Sequence, residues 1–304
     1  MTATDAPAEV TVSVPATAAN LGPGFDALGL ALELRDEVRA RRESAAGVTV
    51  HVTGEGEATV PRDETHLVVR AVHAAWDALG EPRSGLTLWC TNRVPHGRGL
   101  GSSAAAAVAG VLAGRALAGA PDDPFAALEV AAALEGHPDN AAACLLGGLT
   151  IAWTADLPHR APRAVRVEPA ADLRATVLVP DAELSTETAR GLLPAAVPHA
   201  DAAHSAGRAA LLVEAVARRP DLLLDATEDR LHQSYRAPAM AATAALVSAL
   251  RAQGWAAVVS GAGPSVLVLA RADRVPDVDR LRQLAGSGWR VLEPGLAPTG
   301  AAVR

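Results

Sequence analysis

The chain contains no lysine, so its basic side chains are arginines and nine histidines. That absence rules out a phosphate-binding loop of the form G-x-x-x-x-G-K-[ST], which needs its lysine on the phosphates. Cysteine is nearly absent too. Cys90 and Cys144 stand alone, without CxxC spacing or a matching histidine pattern, which excludes a zinc site and predicts buried free thiols in a reducing compartment. Aromatics make up only 3% of the residues, so the core must be built from Ala, Val and Leu. No run reaches the ~18 apolar residues that cross a bilayer, and MTATDAPAEV has neither the positive region nor the apolar stretch of a signal peptide. No basic tract carries interleaved aromatics, and 34 acidic against 27 basic residues give a net charge of -7. Nucleic acid and membrane are therefore not expected partners, and a cytoplasmic location is expected.

What is present is a chain of 304 residues, half of them hydrophobic, long enough for two domains or one large one. Val10 to Val14 alternates as a strand that Pro15 should stop, followed by a loop from Ala16 to Asp26. Asp26 to Leu34 reads as a short helix or a strand, and Val38 to Val52 as a hairpin turning at Ser44 to Gly47. Thr65 to Leu79 has helical period, Leu86 to Thr91 is a strand, and Ala104 to Leu117 is a helix. Asp122 or Asp123 should cap a helix with Pro124 in its first turn, ending at Glu135 before Gly136. A strand follows at Leu149 to Trp153, and the two prolines of Leu157 to Pro162 place the domain boundary between 157 and 158. The second half reads as strands near 164–167 and 175–179, helices near 186–193, 202–218, 222–231 and 238–253, then strand, helix, strand to Leu292. Strands and helices mixed in both halves predict an α+β fold.

The densest chemistry lies in Pro95-His96-Gly97-Arg98-Gly99-Leu100-Gly101-Ser102-Ser103-Ala104. Glycines can take φ > 0 and let the backbone approach a ligand closely. The helix start behind them offers free N–H groups and the positive end of a dipole to an anion such as a phosphate. The serine hydroxyls can cap that helix or reach a metal ion carried by the phosphates. Gly97, Gly99 and Gly101 do not have the G-x-G-x-x-G spacing of a dinucleotide site.

Three segments in order carry a resemblance. P-x-G-x-G-L-G-S-S-A is similar to the phosphate loop of the GHMP kinases. Val14-Pro15-Ala16-Thr17-Ala18-Ala19-Asn20-Leu21-Gly22-Pro23-Gly24-Phe25-Asp26 resembles their first motif, and Ser260-Gly261-Ala262-Gly263-Pro264-Ser265 their third. "EGHPDNAAACLLGG" and "STETARGLLP" are similar to the homoserine kinase branch, and the absence of lysine excludes a catalytic lysine like that of mevalonate kinase. The resemblance implies a two-domain GHMP kinase fold. Residues 1–157 form an ATP-binding domain like ribosomal protein S5 domain 2, and 158–304 a ferredoxin-like domain. It implies transfer of the ATP γ-phosphoryl group to the side-chain hydroxyl of L-homoserine, a step toward threonine. The alternatives are another small-molecule GHMP kinase, or a catalytically silent ligand sensor of the same fold. A homodimer is compatible with it.

By the same resemblance, Pro95, His96, Gly97, Arg98, Gly99, Leu100, Gly101, Ser102 and Ser103 hold ATP. Arg98 sits at a variable position and either helps hold phosphate or faces water. His66 stands where many relatives place an adenine-reading Asn. Ser103 and Glu135 are the Mg²⁺ contacts, an oxygen donor set that suits a hard cation. Arg190 and Arg236 take the substrate carboxylate, the planar fork of arginine matching it. Asn20 and Asp26 take the ammonium, and Asn140 orients the reacting hydroxyl. Asp139 is either a general base or the cap of the helix after it. His199, His204 and His232 show no ligand spacing.

Overall fold

The computed structural model describes residues 6–155 and 161–304. Its first layer is a seven-stranded sheet in the order β11-β1-β2-β4-β3, with β5 on β2 and β6 on β5. The strands are β1 (Glu9–Asn20), β2 (Gly24–Glu43), β3 (Val48–Gly54), β4 (Gly85–Asn92), β5 (Leu149–Thr154), β6 (Pro162–Val167) and β11 (Ala302–Val303). Over one face lie α1 (Leu67–Leu79), α2 (Ser102–Leu117), α3 (Pro124–Glu135) and α4 (Asp139–Leu146). The second layer is a four-stranded antiparallel sheet in the order β10-β7-β9-β8. It is built from β7 (Leu173–Pro180), β8 (Ala256–Val259), β9 (Val266–Arg271) and β10 (Trp289–Leu292). Numbered within that unit the order is 4-1-3-2 with every neighbour antiparallel, which is the ferredoxin-like arrangement. The expected α+β architecture, with a ferredoxin-like second half, is what the chain adopts.

The second sheet carries α5 (Thr186–Gly191), α6 (His199–Ala217), α7 (Leu223–Ala226), α8 (Gln233–Arg236), α9 (Ala241–Ala252) and α10 (Val278–Ala285). One core joins the layers. Ala16, Ala18, Leu28 and Leu30 of the first sheet are buried with Leu173, Val177, Leu212 and Val258 of the second half. The expected boundary at 157/158 lies outside the described residues, and the strand after it, β6, pairs with β5 in the first sheet.

Four sequence expectations are corrected. Pro15 does not end β1, because a register shift between Pro15 and Ala16 spares the ladder its missing N–H, and Ala16 to Asn20 continues as buried strand rather than loop. Val38–Val52 is not a hairpin. β4, buried over most of its length, lies between β2 and β3 and pairs antiparallel with β2 and parallel with β3, to which α1 connects it. The stretch 222–231 is helical only over Leu223–Ala226, and 238–253 only from Ala241 after a 3₁₀ turn. The strand β9 went unforeseen, because a short apolar run does not reveal its state by period alone.

The glycine-bearing helix α2 is buried on nearly all sides. Gly110 and Gly114 let it touch the backbone of α1, where a Cβ would meet Val68 O at 2.5 Å and Val72 O at 2.8 Å. Trp76, fully buried, donates its indole N–H to Gly114 O at 2.9 Å. A helix locked in this way holds its N-terminus still, and that terminus opens into a polar cavity.

Candidate active site

α2 starts on Gly101, which sits at a left-handed φ of 68° and, lacking a side chain, offers no acceptor over the first turn. The free N–H groups therefore face a cavity of about 280 Å³ lined by Asn20, Asp26, Gly97, Arg98, Gly99, Gly101, Ser102, Ser103, Glu135, His137, Asp139, Asn140, Arg190, Arg236 and Gly261. The predicted first motif, phosphate loop and third motif thus share one wall. Leu100 O accepts from Thr17 N at 3.0 Å, Gly99 O from Ser260 Oγ at 2.7 Å, and Arg98 O from Ser265 N at 3.3 Å. Gly99 and Gly101 must be glycine: a Cβ on the first would collide with Ser260 O, and on the second with Thr17 Oγ1.

A second cavity of about 290 Å³ adjoins the first across Ser102 and Ser103 and is mostly apolar, with Val60, Leu67, Ala105 and Ala109 in its wall. His66 lines it. It caps α1 by accepting from Val68 N at 3.3 Å through Nδ1, and burial lowers its pKa. A neutral ring accepting at Nδ1 carries its proton on Nε2. His96 lines this cavity too, whereas Pro95 and Leu100 line neither.

Arg98 neither faces water nor is free for phosphate. Its guanidinium donates to Pro180 O at 2.9 Å, His96 O at 2.7 Å, Asp181 O at 2.8 Å and Glu183 Oε1 at 3.0 Å, stapling the glycine loop to the end of β7.

Ser103 Oγ donates to Glu135 Oε2 at 2.9 Å. Burial raises the Glu135 pKa, opposed by this hydrogen bond and by His137. A hydroxyl and a carboxylate together on the cavity wall are hard oxygen donors, a set that fits Mg²⁺ sharing its shell with water and phosphate. Among the described residues no group of three or more His, Cys, Asp or Glu could enclose a metal ion by itself.

On α4, Asp139 is buried and its Oδ1 accepts from Asn140 N at 2.7 Å and meets His137 Nδ1 at 2.7 Å. That bond raises the His137 pKa. Asn140 Oδ1 accepts from the Thr17 hydroxyl at 2.7 Å, which fixes the amide so that Nδ2 is its donor. Thr17 escaped the sequence reading; it is fully buried, and only the fold brings it 123 positions along the chain to Asn140.

At the far end the turn of the first motif is strained. Asn20, Leu21 and Asp26 hold φ of 68°, 50° and 54°, a region that costs a non-glycine residue roughly 1–2 kcal/mol. Asn20 holds the turn by accepting from Asp26 N at 3.0 Å and donating to Gly261 O at 2.8 Å. Arg190 donates twice to Asp26, at 3.0 and 2.7 Å, and this pairing raises its pKa. Arg236, 1% exposed, has no carboxylate at ion-pair distance among the described residues. It donates to Ala189 O at 3.2 Å, His232 Nδ1 at 3.1 Å and Gly261 O at 3.4 Å. Both guanidiniums flank the Phe25 ring, at 5.8 and 5.4 Å from its centre.

Cys90 and Cys144 are buried free thiols, as expected, with the Cys90 pKa pushed up to about 12 by burial. No helix among the described residues is long and apolar enough to cross a membrane.

Known proteins resemble this chain over nearly its whole length. Residues 66–148 match the family model "GHMP kinases N terminal domain" and 209–290 match "GHMP kinases C terminal". The chain is 56% identical to the homoserine kinase of Streptomyces avermitilis over 299 residues, 97% of this chain and 96% of that protein. The crystal structure of homoserine kinase from Cytophaga hutchinsonii superposes over 100% of both chains with a TM-score of 0.85 at 27% identity. The structure of a putative homoserine kinase from Listeria monocytogenes gives 0.75 at 30% identity, covering 97% of this chain and 99% of that one.

Proposed function

This chain belongs to the GHMP kinases, in their homoserine kinase branch, and from that premise we propose how it phosphorylates L-homoserine with ATP. Phosphoryl transfer asks for position and charge neutralisation more than covalent chemistry. The triphosphate lies along Gly97 to Ser103, its oxygens on the free N–H groups of the α2 start. The base enters the adjoining apolar cavity, where the Nε2 proton of His66 is its polar donor. Ser103 and Glu135 hold Mg²⁺, which when bound neutralises phosphate charge.

The substrate's two poles are read at the other end. Arg236 takes the carboxylate, because its buried charge is unmatched, and Arg190 joins it when Asp26 turns to the ammonium. Asn20 sets the Asp26 turn. Asn140, with Nδ2 as donor, holds the side-chain hydroxyl oxygen. That oxygen attacks the γ-phosphorus, the bond to the bridging oxygen breaks, ADP leaves, and the hydroxyl proton passes to the transferred phosphoryl group. Asp139 does not serve as base in this reading, since its Oδ1 is engaged by His137 and by the backbone of Asn140. It positions the loop instead.

The observation that carries the proposal is one cavity lined by both an uncapped helix start and a set of opposite charges, Asp26 with Arg190 and Arg236. A coupled ADP-release assay over L-homoserine, other hydroxy amino acids and non-amino-acid alcohols tests it. Turnover confined to the amino-acid alcohols supports it, and turnover with the others alone rejects it.

A further inference from the structure

His232 showed no ligand spacing in the sequence, yet it is completely buried and both ring nitrogens are engaged. Nε2 lies 2.8 Å from Gly22 O, and a carbonyl only accepts, so the proton is on Nε2. Nδ1 is then an acceptor, and Arg236 Nη1 donates to it at 3.1 Å. Both bonds exist together only in the neutral ring. Burial lowers the His232 pKa, which agrees with that state.

The backbone that carries the ring is fixed in turn. Asp229, whose side chain is fully buried, accepts from Leu231 N at 2.8 Å through Oδ1, and from His232 N at 3.1 Å and Gln233 N at 2.8 Å through Oδ2. Its carboxylate stays 3.6 Å from Nε2, beyond hydrogen-bond reach. The buried charge of Arg236 is thus supported by a carboxylate two groups away and touched only by neutral acceptors. A carboxylate in direct contact would occupy the fork that a ligand needs, as Asp26 occupies that of Arg190.

We propose that His232 is the positioning residue for the substrate carboxylate: a neutral spacer that aims Arg236 without quenching it. It also ties Arg236 to the turn bearing Asp26, because the same ring holds Gly22 O and packs 5.2 Å from Phe25. His232 therefore gauges the separation between the carboxylate and ammonium poles, and selects α-amino acids by that separation. The inference rests on the homoserine reading above.

The test begins with wild-type ADP release on L-homoserine; its absence would sink that reading before any variant is made. Kinetics of His232→Ala, Arg236→Ala and the double variant follow, with melting temperatures. We expect His232→Ala to raise the KM for L-homoserine about tenfold, the scale of a hydrogen bond to a charged group, with the KM for ATP and kcat nearly unchanged. In the Arg236→Ala background the same change should add nothing. Equal losses for ATP, or independent effects in the double variant, would overturn the proposal. If His232→Ala does not fold, His232→Gln and His232→Glu decide. The neutral acceptor should retain most homoserine affinity and the carboxylate should lose it, whereas equal KM values would contradict the spacer role.

Discussion

Arg190 grips Asp26 with two parallel hydrogen bonds, joining α5 of the second half to the strained turn of the first motif 164 positions away. The sequence reading assigns these residues to opposite poles of one substrate, and the structure pairs them with each other. A bound amino acid must exchange this pair for two new ones. Arg190→Ala is therefore expected to raise the KM for L-homoserine by about 10- to 100-fold, the range for a charge-assisted hydrogen bond. ATP affinity should stay unchanged, as initial-rate kinetics in both substrates will show. An equal loss for ATP would reject the assignment.

Gly101 and Gly80 share a left-handed φ, 68° and 69°, but not their surroundings. A Cβ on Gly80 meets nothing within 4 Å, whereas on Gly101 it strikes Thr17 Oγ1 and presses on Asn140 Oδ1 at 3.1 Å. Gly80→Ala should cost about 1 kcal/mol of stability and leave turnover intact. Gly101→Ala should lower kcat severely, because it moves both the phosphate loop and the amide that holds the hydroxyl. Denaturant melts and kcat for the two variants make the comparison.

Much of the site is legible in the sequence because the chemistry is local. Glycines that need φ > 0, the Asp123 cap and the αL stop at Gly136 are written in consecutive residues. Sheet order is not. That β4 would separate β2 from β3 depends on which apolar strand wins the centre, a contest among distant segments. Arg98 and Thr17 were illegible for the same reason, since their partners lie 82 and 123 positions away. His232 did leave a trace: it stands four residues before Arg236, a spacing that puts two side chains on one helical face.

Glu135 is expected to trade stability for function. Its folded-state pKa lies above the ordinary 4.5 because of burial, so folding favours the protonated form. That contribution is complete below 4.5 and is lost as pH rises through the folded value. At neutral pH Glu135→Gln should therefore keep or raise the melting temperature while weakening Mg²⁺ at least about tenfold. In the wild type the half-saturating Mg²⁺ concentration should climb as pH falls toward the raised pKa. Calorimetry and Mg²⁺ titrations of activity read the two effects.

Asp139 should prove a positioning group. His137, bonded to it, titrates above the ordinary 6.5, so this pair stabilises the fold below 6.5 and loses its contribution as pH rises through the higher value. Asp139→Asn should bring the His137 midpoint, followed by NMR, back down. It should cost less than about tenfold in kcat, against the 10²–10⁴-fold typical of a lost general base. A loss in that larger range would restore Asp139 as the base.

One assay bears on all of this: phosphorus NMR of the purified protein incubated with ATP, Mg²⁺ and L-homoserine. O-phospho-L-homoserine should appear in step with ADP, and the Arg236→Ala variant should form it only at far higher homoserine concentration. Inorganic phosphate in place of the phosphoester, or no ADP at all, would contradict the reading of this cavity as a seat for an amino-acid alcohol facing a triphosphate.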